Sequence, residues 1–193
     1  MNTYDFSGLG PSTVHVWVVP LDDPDKRRRR ELAHAAQRRI LAGYLGTDPE
    51  AVQLTRTRSG KPALAGGGLE FNLSHSGRLA LVAVSRDLPV GVDVQEPHAT
   101  VRKPWFAARI CTPREYEAVG RLADPEALLR LWVRKEAVIK CRGEGSYAAV
   151  DGIDVLDDRV DGGWLCRDLP MVEPGYHAAV ATRAVPRLAV VLR

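Results

Sequence analysis

The chain opens its patterned region with a run of β-branched and aromatic residues at positions 13–20, which predicts a first strand. Positions 26–45 switch to helical spacing, with Leu32, Ala36 and Ile40 four apart and Gly46 where a C-cap glycine belongs. Residues 69–73, 79–85 and 90–94 predict three strands, separated by Gly77 and by Asp87, Leu88 and Pro89. Thr112, Pro113 and Glu115 carry the signature of a capped helix start, and the capping box accounts for Glu115. Asp124 and Pro125 repeat it ahead of an amphipathic helix over 126–140, which Gly143 and Gly145 end. Late strands are expected at 153–156, 176–182 and 188–192. Strands and helices occur in both halves without regular alternation, so the expected class is α+β rather than a doubly wound parallel sheet. Pro97 and Pro104 bracket a strandless stretch that marks a seam between residues 1–95 and 96–193.

Composition narrows the function without naming it. The chain has 193 residues, 45% of them hydrophobic and 26% charged, which is ordinary for a globular protein with its own core. Lys and Arg total 27 against 24 Asp and Glu, a net charge of +3, too mild to announce a nucleic-acid binder. Cys111, Cys141 and Cys166 form no C-x-x-C pair, so no disulfide framework or cysteine zinc site is expected and a cytoplasmic setting fits. No apolar run reaches the length of a membrane span, and no basic and apolar leader is visible.

Four segments can carry chemistry. On the strand Val90-Gly91-Val92-Asp93-Val94-Gln95, Val90, Val92 and Val94 face one way, Asp93 and Gln95 the other. Asp93 is either a salt-bridged strand end or an oxygen ligand for a hard cation such as Mg²⁺, with Gln95 beside it. Trp132, Glu136 and Lys140 share one helical ridge. Glu136 and Lys140 make either a surface pair, or a carboxylate that serves as ligand or base together with a phosphate-facing acid. Ser74 and His75, at the end of a strand, either cap a loop or hold a phosphate oxygen. Lys26-Arg27-Arg28-Arg29-Arg30 places five cations at a helix start, where the macrodipole disfavours them, which favours a phosphate partner for one of them. The turn Arg58-Ser59-Gly60-Lys61-Pro62 is basic but is not a P-loop.

In order and spacing, the turn 58–62, Phe71-Asn72-Leu73-Ser74-His75-Ser76, Gly91-Val92-Asp93-Val94, Trp132-Val133-Arg134-Lys135-Glu136 with Lys140, and Gly143-Glu144-Gly145 resemble the Sfp-type 4′-phosphopantetheinyl transferases. The resemblance spans about residues 30–182. It implies two pseudo-symmetric α+β halves with the site in the cleft between them. It implies transfer of the phosphopantetheine arm of coenzyme A to a serine of an acyl- or peptidyl-carrier protein, with release of adenosine 3′,5′-bisphosphate and a need for Mg²⁺. By the same resemblance Arg30 contacts the 3′-phosphate, and Arg56, Lys61 and Pro62 hold the nucleotide end. Asn72, Ser74 and His75 contact the phosphates, Asp93 and Glu136 bind Mg²⁺, and Lys140 faces the pyrophosphate. Many members carry Glu where this chain has Gln95, which keeps a carbonyl oxygen for the metal or leaves room for water. Residues 100–122 are expected to shape the carrier docking surface. A monomer is expected, with no nucleic-acid or membrane partner. The alternatives are another metal-dependent nucleotide transferase or hydrolase acting on coenzyme A without a carrier, a coenzyme A or carrier-binding module that has lost catalysis, and a nucleic-acid binder using Lys26 to Arg30, which nothing else in the chain supports.

Overall fold

The computed structural model describes residues 5–119, 124–144, 150, 152–170 and 173–193. Gly145 and residues 120–122 of the expected docking segment lie outside them. Two four-stranded sheets form the centre. The first contains β1 (Thr13–Pro20), β4 (Glu70–Ser76), β5 (Leu79–Ser85) and β10 (Ala189–Leu192) in the order β10-β1-β5-β4. The second contains β6 (Val90–Gln95), β7 (Arg159–Val160), β8 (Trp164–Asp168) and β9 (His177–Arg183) in the order β6-β9-β8-β7. A small ribbon pairs β2 (Leu54–Arg56) with β3 (Pro62–Leu64), flanking the basic turn. The class is α+β.

Each sheet carries one long helix on its outer face. Helix α1 (Lys26–Leu45) lays Ile40 and Leu41 on Trp17, Phe71, Val82 and Val84. Helix α4 (Pro125–Arg142) lays Ala137, Val138 and Cys141 on Cys166, Ala179 and Ala181. The inner faces meet through Val14, Val16, Leu81 and Ala83 on one side and Val90, Val92, Val94 and Val180 on the other. Full burial of such a side chain stabilises by about 1.5–3 kcal/mol, so this middle layer binds the halves firmly. Asp25 caps α1 by accepting from Arg27 N–H, and Gly46 closes it in the left-handed region at φ 65°. Two short helices, α2 (Pro104–Ile110) and α3 (Pro113–Ala118), cover the second half, and α3 has the expected Thr112–Glu115 capping box.

The two halves do not divide cleanly at residue 95. β6 precedes that point yet pairs with β9, and β10 follows it yet runs parallel to β1. The sheets thus exchange a strand. Where the edge strands β4 and β6 meet, side chains replace a main-chain ladder. Asn72 Oδ1, Ser74 Oγ and Ser76 Oγ accept in turn from the amides of Val92 (2.9 Å), Val94 (3.3 Å) and Glu96 (3.1 Å). The alternating polar positions of β4 therefore satisfy an otherwise orphaned strand edge.

One expected strand is absent. Among the described residues, 153–156 pair with no strand, because side chains claim their backbone. Ile153 O accepts from Lys135 Nζ, Val155 N donates to Glu115 Oε1 at 2.9 Å, and Val155 O accepts from Arg134 Nε at 2.7 Å. Ile153 and Val155 are buried, which produces the strand-like alternation without a sheet. Conversely, β2, β3, β7 and β8 were not expected from the sequence pattern. β4 also runs on through Ser76, where a turn was expected at 74–77.

Candidate functional site

The site begins with a glycine. At Gly91, a β-carbon would collide with the carbonyl oxygen of Ala137 and the amide of Cys141, so only glycine lets α4 lie this low on β6. That approach sets the acid two residues on, Asp93, beside the ridge of α4. Alternation along β6 buries Val92 and Val94 between the sheets and turns Asp93 and Gln95 toward α4.

Asp93 is fully buried and fully partnered. Its Oδ1 accepts from Ser74 Oγ at 2.7 Å and from Lys140 Nζ at 2.5 Å, and its Oδ2 accepts from Gln95 Nε2 at 3.3 Å. Lys140 also donates to Ser74 Oγ at 3.0 Å. Glu136 lies one turn before Lys140. Burial pushes its carboxyl above the usual range, and the Asp93 carboxylate raises it further, against a smaller opposing pull from Lys140. Among the described residues, no hydrogen bond holds the Glu136 carboxylate.

A cavity of about 720 Å³ opens over this group. Trp132, Glu136 and Lys140 form its α4 wall, the shared ridge expected from their spacing. Lys26, Arg30 and His34, also four apart, form its α1 wall. The five-cation run is thereby sorted: Arg27 and Arg28 pair with Glu31, Arg29 donates to Asp23 O and Pro24 O, and Lys26 and Arg30 face the cavity. His75 enters from β4, its pKa lowered first by burial and then by His34, Arg30, Lys140 and Lys26. A neutral imidazole in a ring of cations marks a field prepared for an anion.

The structure thus gathers Arg30, Ser74, His75, Asp93, Gln95, Glu136 and Lys140 around one space. It assigns other contacts to the remaining candidates. Lys61 Nζ donates to Val90 O at 2.9 Å and to Cys141 O at 3.5 Å, tying the basic turn to the C-terminal end of α4. Arg56 donates across its own turn to Gly60 O at 2.8 Å. Pro62 lines a separate cavity of about 110 Å³ with His34, Phe71 and Asn72. Asn72 is spent on the β4–β6 seam, and the Ser74 hydroxyl is occupied by Asp93, Lys140 and Val94. Both therefore hold the seam that positions the site. Gln95 is likewise turned, its amide nitrogen to Asp93 and its oxygen to Ser76 Oγ at 3.4 Å. His34 and Glu144 also line the cavity and were not singled out from sequence, although His34 continues the i, i+4 series of Lys26 and Arg30.

Lys135, next to Glu136 in the motif, points away. It makes a fully buried ion pair with Glu115 at 2.7 Å, and Glu115 Oε2 also accepts from Thr112 N at 2.8 Å. The capping box of α3 is thus also the anchor of α4.

Comparison with known proteins agrees with this geometry. The family model described as the 4′-phosphopantetheinyl transferase superfamily matches residues 89–182, which run from β6 through α4 to β9. The chain is 35% identical over 174 residues to the 4′-phosphopantetheinyl transferase HetI of Nostoc sp., covering 74% of this chain and 73% of that protein. It is 34% identical over 128 residues to the 4′-phosphopantetheinyl transferase AcpT of Escherichia coli K12, covering 64% and 63%. Against the human L-aminoadipate-semialdehyde dehydrogenase-phosphopantetheinyl transferase it is 31% identical over 123 residues, covering 56% and 40%. With the acid of β6 and the Glu–Lys ridge of α4 lying inside the matched region, the chain belongs to the 4′-phosphopantetheinyl transferase superfamily.

Proposed function

We propose that this phosphopantetheinyl transferase moves the 4′-phosphopantetheine arm of coenzyme A to a serine of an acyl- or peptidyl-carrier protein and releases adenosine 3′,5′-bisphosphate. The observation that carries the reading is the convergence of Asp93, Glu136 and Lys140 opposite the cationic wall of α1 in one cavity. Arg30 and Lys26 hold the nucleotide phosphates, and residues 1–95 supply most of these contacts. Residues 96–193 supply the catalytic helix and the carrier surface. The pantetheine arm runs toward a second cavity of about 510 Å³, lined by Pro97, Leu129 and His177, with Leu129 one turn before Trp132 on α4.

The donor set suits Mg²⁺. Asp93 and Glu136 are hard oxygen ligands close enough for one to raise the other's pKa, a repulsion that a dication relieves. Asp93 and Glu136 would hold the ion, with the Gln95 oxygen available only if its amide turns. Bound there, Mg²⁺ supplies charge neutralisation to the diphosphate. The protein's own groups do the rest. Glu136, whose carboxylate accepts no hydrogen bond among the described residues, takes the proton of the carrier serine. The serine oxygen bonds to the phosphorus that bears pantetheine, and the bond from that phosphorus to the bridging oxygen breaks. The bridging oxygen leaves with adenosine 3′,5′-bisphosphate, and Lys140 stabilises the charge it acquires.

Both sheets contribute to the site within one chain, so a monomer suffices. Cys111, Cys141 and Cys166 are free thiols and support a reducing, cytoplasmic setting. No described helix is long and apolar enough to cross a membrane. The test is mass spectrometry of a panel of apo-carriers incubated with coenzyme A and Mg²⁺. A gain of one phosphopantetheine on any carrier supports the reading. Release of adenosine bisphosphate without a carrier would replace it with hydrolysis.

A further inference from the structure

We propose that Lys140 is a built-in counter-cation that competes with the divalent metal for Asp93, so that the metal binds weakly alone and more tightly once the diphosphate is present. This rests on the transferase reading above and adds an order of assembly to it.

The free protein already satisfies Asp93. The carboxylate side chain is 1% exposed, and Lys140, 27% exposed, reaches it from the cavity side to 2.5 Å. A buried carboxylate without a countercharge is strongly destabilising, which explains why an ammonium sits there. A metal ion would need the same carboxylate, whose Oδ1 is held by Lys140 and whose Oδ2 is held by Gln95. An ammonium and a dication on one carboxylate repel strongly at such distances, so one must leave. A displaced Lys140 would turn into the open cavity and give up its ion pair with a buried carboxylate, a cost the metal alone must meet. Lys140 has a flexible stem, and besides Asp93 the carboxylates lining the cavity are Glu136 and Glu144. Glu136 is needed by the same metal, and Glu144 lies beyond the helix end at Gly143. Lys26 and Arg30, which also line the cavity, repel Lys140.

A diphosphate supplies a further anion. When it arrives, Lys140 moves onto it, Asp93 is released, and the Asp93–Glu136 pair becomes a dication site. Ser74, which hydrogen-bonds both Lys140 and Asp93, remains as the hinge of the exchange. By linkage, coenzyme A must then strengthen metal binding by the same factor that metal strengthens coenzyme A binding, and part of that factor belongs to Lys140.

The test is calorimetric titration of Mg²⁺ into the full chain without coenzyme A, and again with saturating coenzyme A after correction for Mg²⁺ bound by coenzyme A in solution. Wild type is compared with Lys140→Met and with Lys26→Met, which removes a cation from the same cavity without touching Asp93. The expected result is at least about fivefold tighter binding of Mg²⁺ alone to Lys140→Met, the lower end of usual coupling between sites. Lys26→Met should shift far less, and coenzyme A should strengthen Mg²⁺ binding by a smaller factor in Lys140→Met than in wild type. Lys140→Gln, which keeps a hydrogen bond to Asp93, gives the same ordering should the Met variant fold poorly. Equal or weaker Mg²⁺ binding by the Lys140 variants, or an equal shift in Lys26→Met, overturns the exchange alone. No Mg²⁺ binding in any protein, with or without coenzyme A, overturns both the exchange and the metal-dependent reading.

Discussion

Gly91 lies directly beneath Cys141: a β-carbon on residue 91 would stand 2.9 Å from Cys141 Cα and would overlap the neighbouring backbone. The atoms it would meet belong to helix backbone and cannot turn aside. Gly91→Ala must therefore lift α4 from β6, with a cost of about 1–3 kcal/mol for overpacking. The same shift carries Glu136 and Lys140 away from Asp93. Urea unfolding should show the loss of stability, and carrier loading should fall even where the variant is folded. Wild-type stability for Gly91→Ala would show that the close approach is not required.

Glu136→Gln keeps the size of the side chain but removes its capacity to accept the serine proton. Carrier loading should drop by roughly 10²–10⁴-fold, the usual worth of a positioned acid or base. Coenzyme A binding measured without Mg²⁺, which depends on the cations of α1, should persist. The comparison is single-turnover loading against equilibrium binding of coenzyme A.

Lys135 is adjacent to Glu136 in sequence but belongs to the scaffold. Lys135→Met strands the buried Glu115 carboxylate, which also serves Thr112 and Val155, and should cost about 3–5 kcal/mol. Activity per folded molecule should stay near wild type. A variant as stable as wild type but inactive would move Lys135 into the catalytic set.

His15 gives the stability a pH dependence. It is fully buried, its Nδ1 stands 2.6 Å from Tyr44 Oη, and Arg193 Nη2 stands 3.4 Å from its Nε2. Arginine can only donate, so Nε2 accepts and the proton resides on Nδ1. Burial first, then the Arg193 charge, lower the His15 pKa below 6.5. The unfolded chain therefore binds a proton that the folded chain refuses, and stability present above about pH 6.5 is lost as pH falls toward the folded pKa. Titration of the His15 ring by NMR, beside urea midpoints from pH 7 to 5, checks both halves of the statement. A ring titrating above 6.5 contradicts it.

His75 should take up a proton when the cavity fills. Its pKa is held down partly by surrounding cations, and a bound polyanion opposes their field. Binding of adenosine 3′,5′-bisphosphate near pH 6.5 should then give a heat that varies with buffer ionisation enthalpy, less so in His75→Asn. An identical buffer dependence in the two proteins would assign the proton elsewhere.

Local rules made much of this legible in the sequence. The caps at Gly46, Thr112 and Asp124, the alternation of β6 and the i, i+4 ridge of α4 are each set within a few residues, and the structure keeps them. What escaped depends on partners far along the chain. Residues 153–156 look like a strand because two of their side chains are buried, yet Arg134, Lys135 and Glu115 take the hydrogen bonds a strand would need. Ser74 and Asn72, expected at the phosphates, also accept from the amides of β6, a role that only the distant strand reveals. Lys61, which the family resemblance places at the nucleotide end, also closes the end of α4, a contact no local pattern announces.

The exchanged strands bear on how the chain is made. By the time residue 95 has been synthesised, β6 exists as an apolar strand whose neighbour, His177–Arg183, is still more than eighty residues away, and β1 waits longer still for Ala189–Leu192. Neither sheet can be finished by the early part of the chain alone. Splitting the gene at the seam should give two fragments that are each insoluble when expressed separately and that recover a working protein only when produced together.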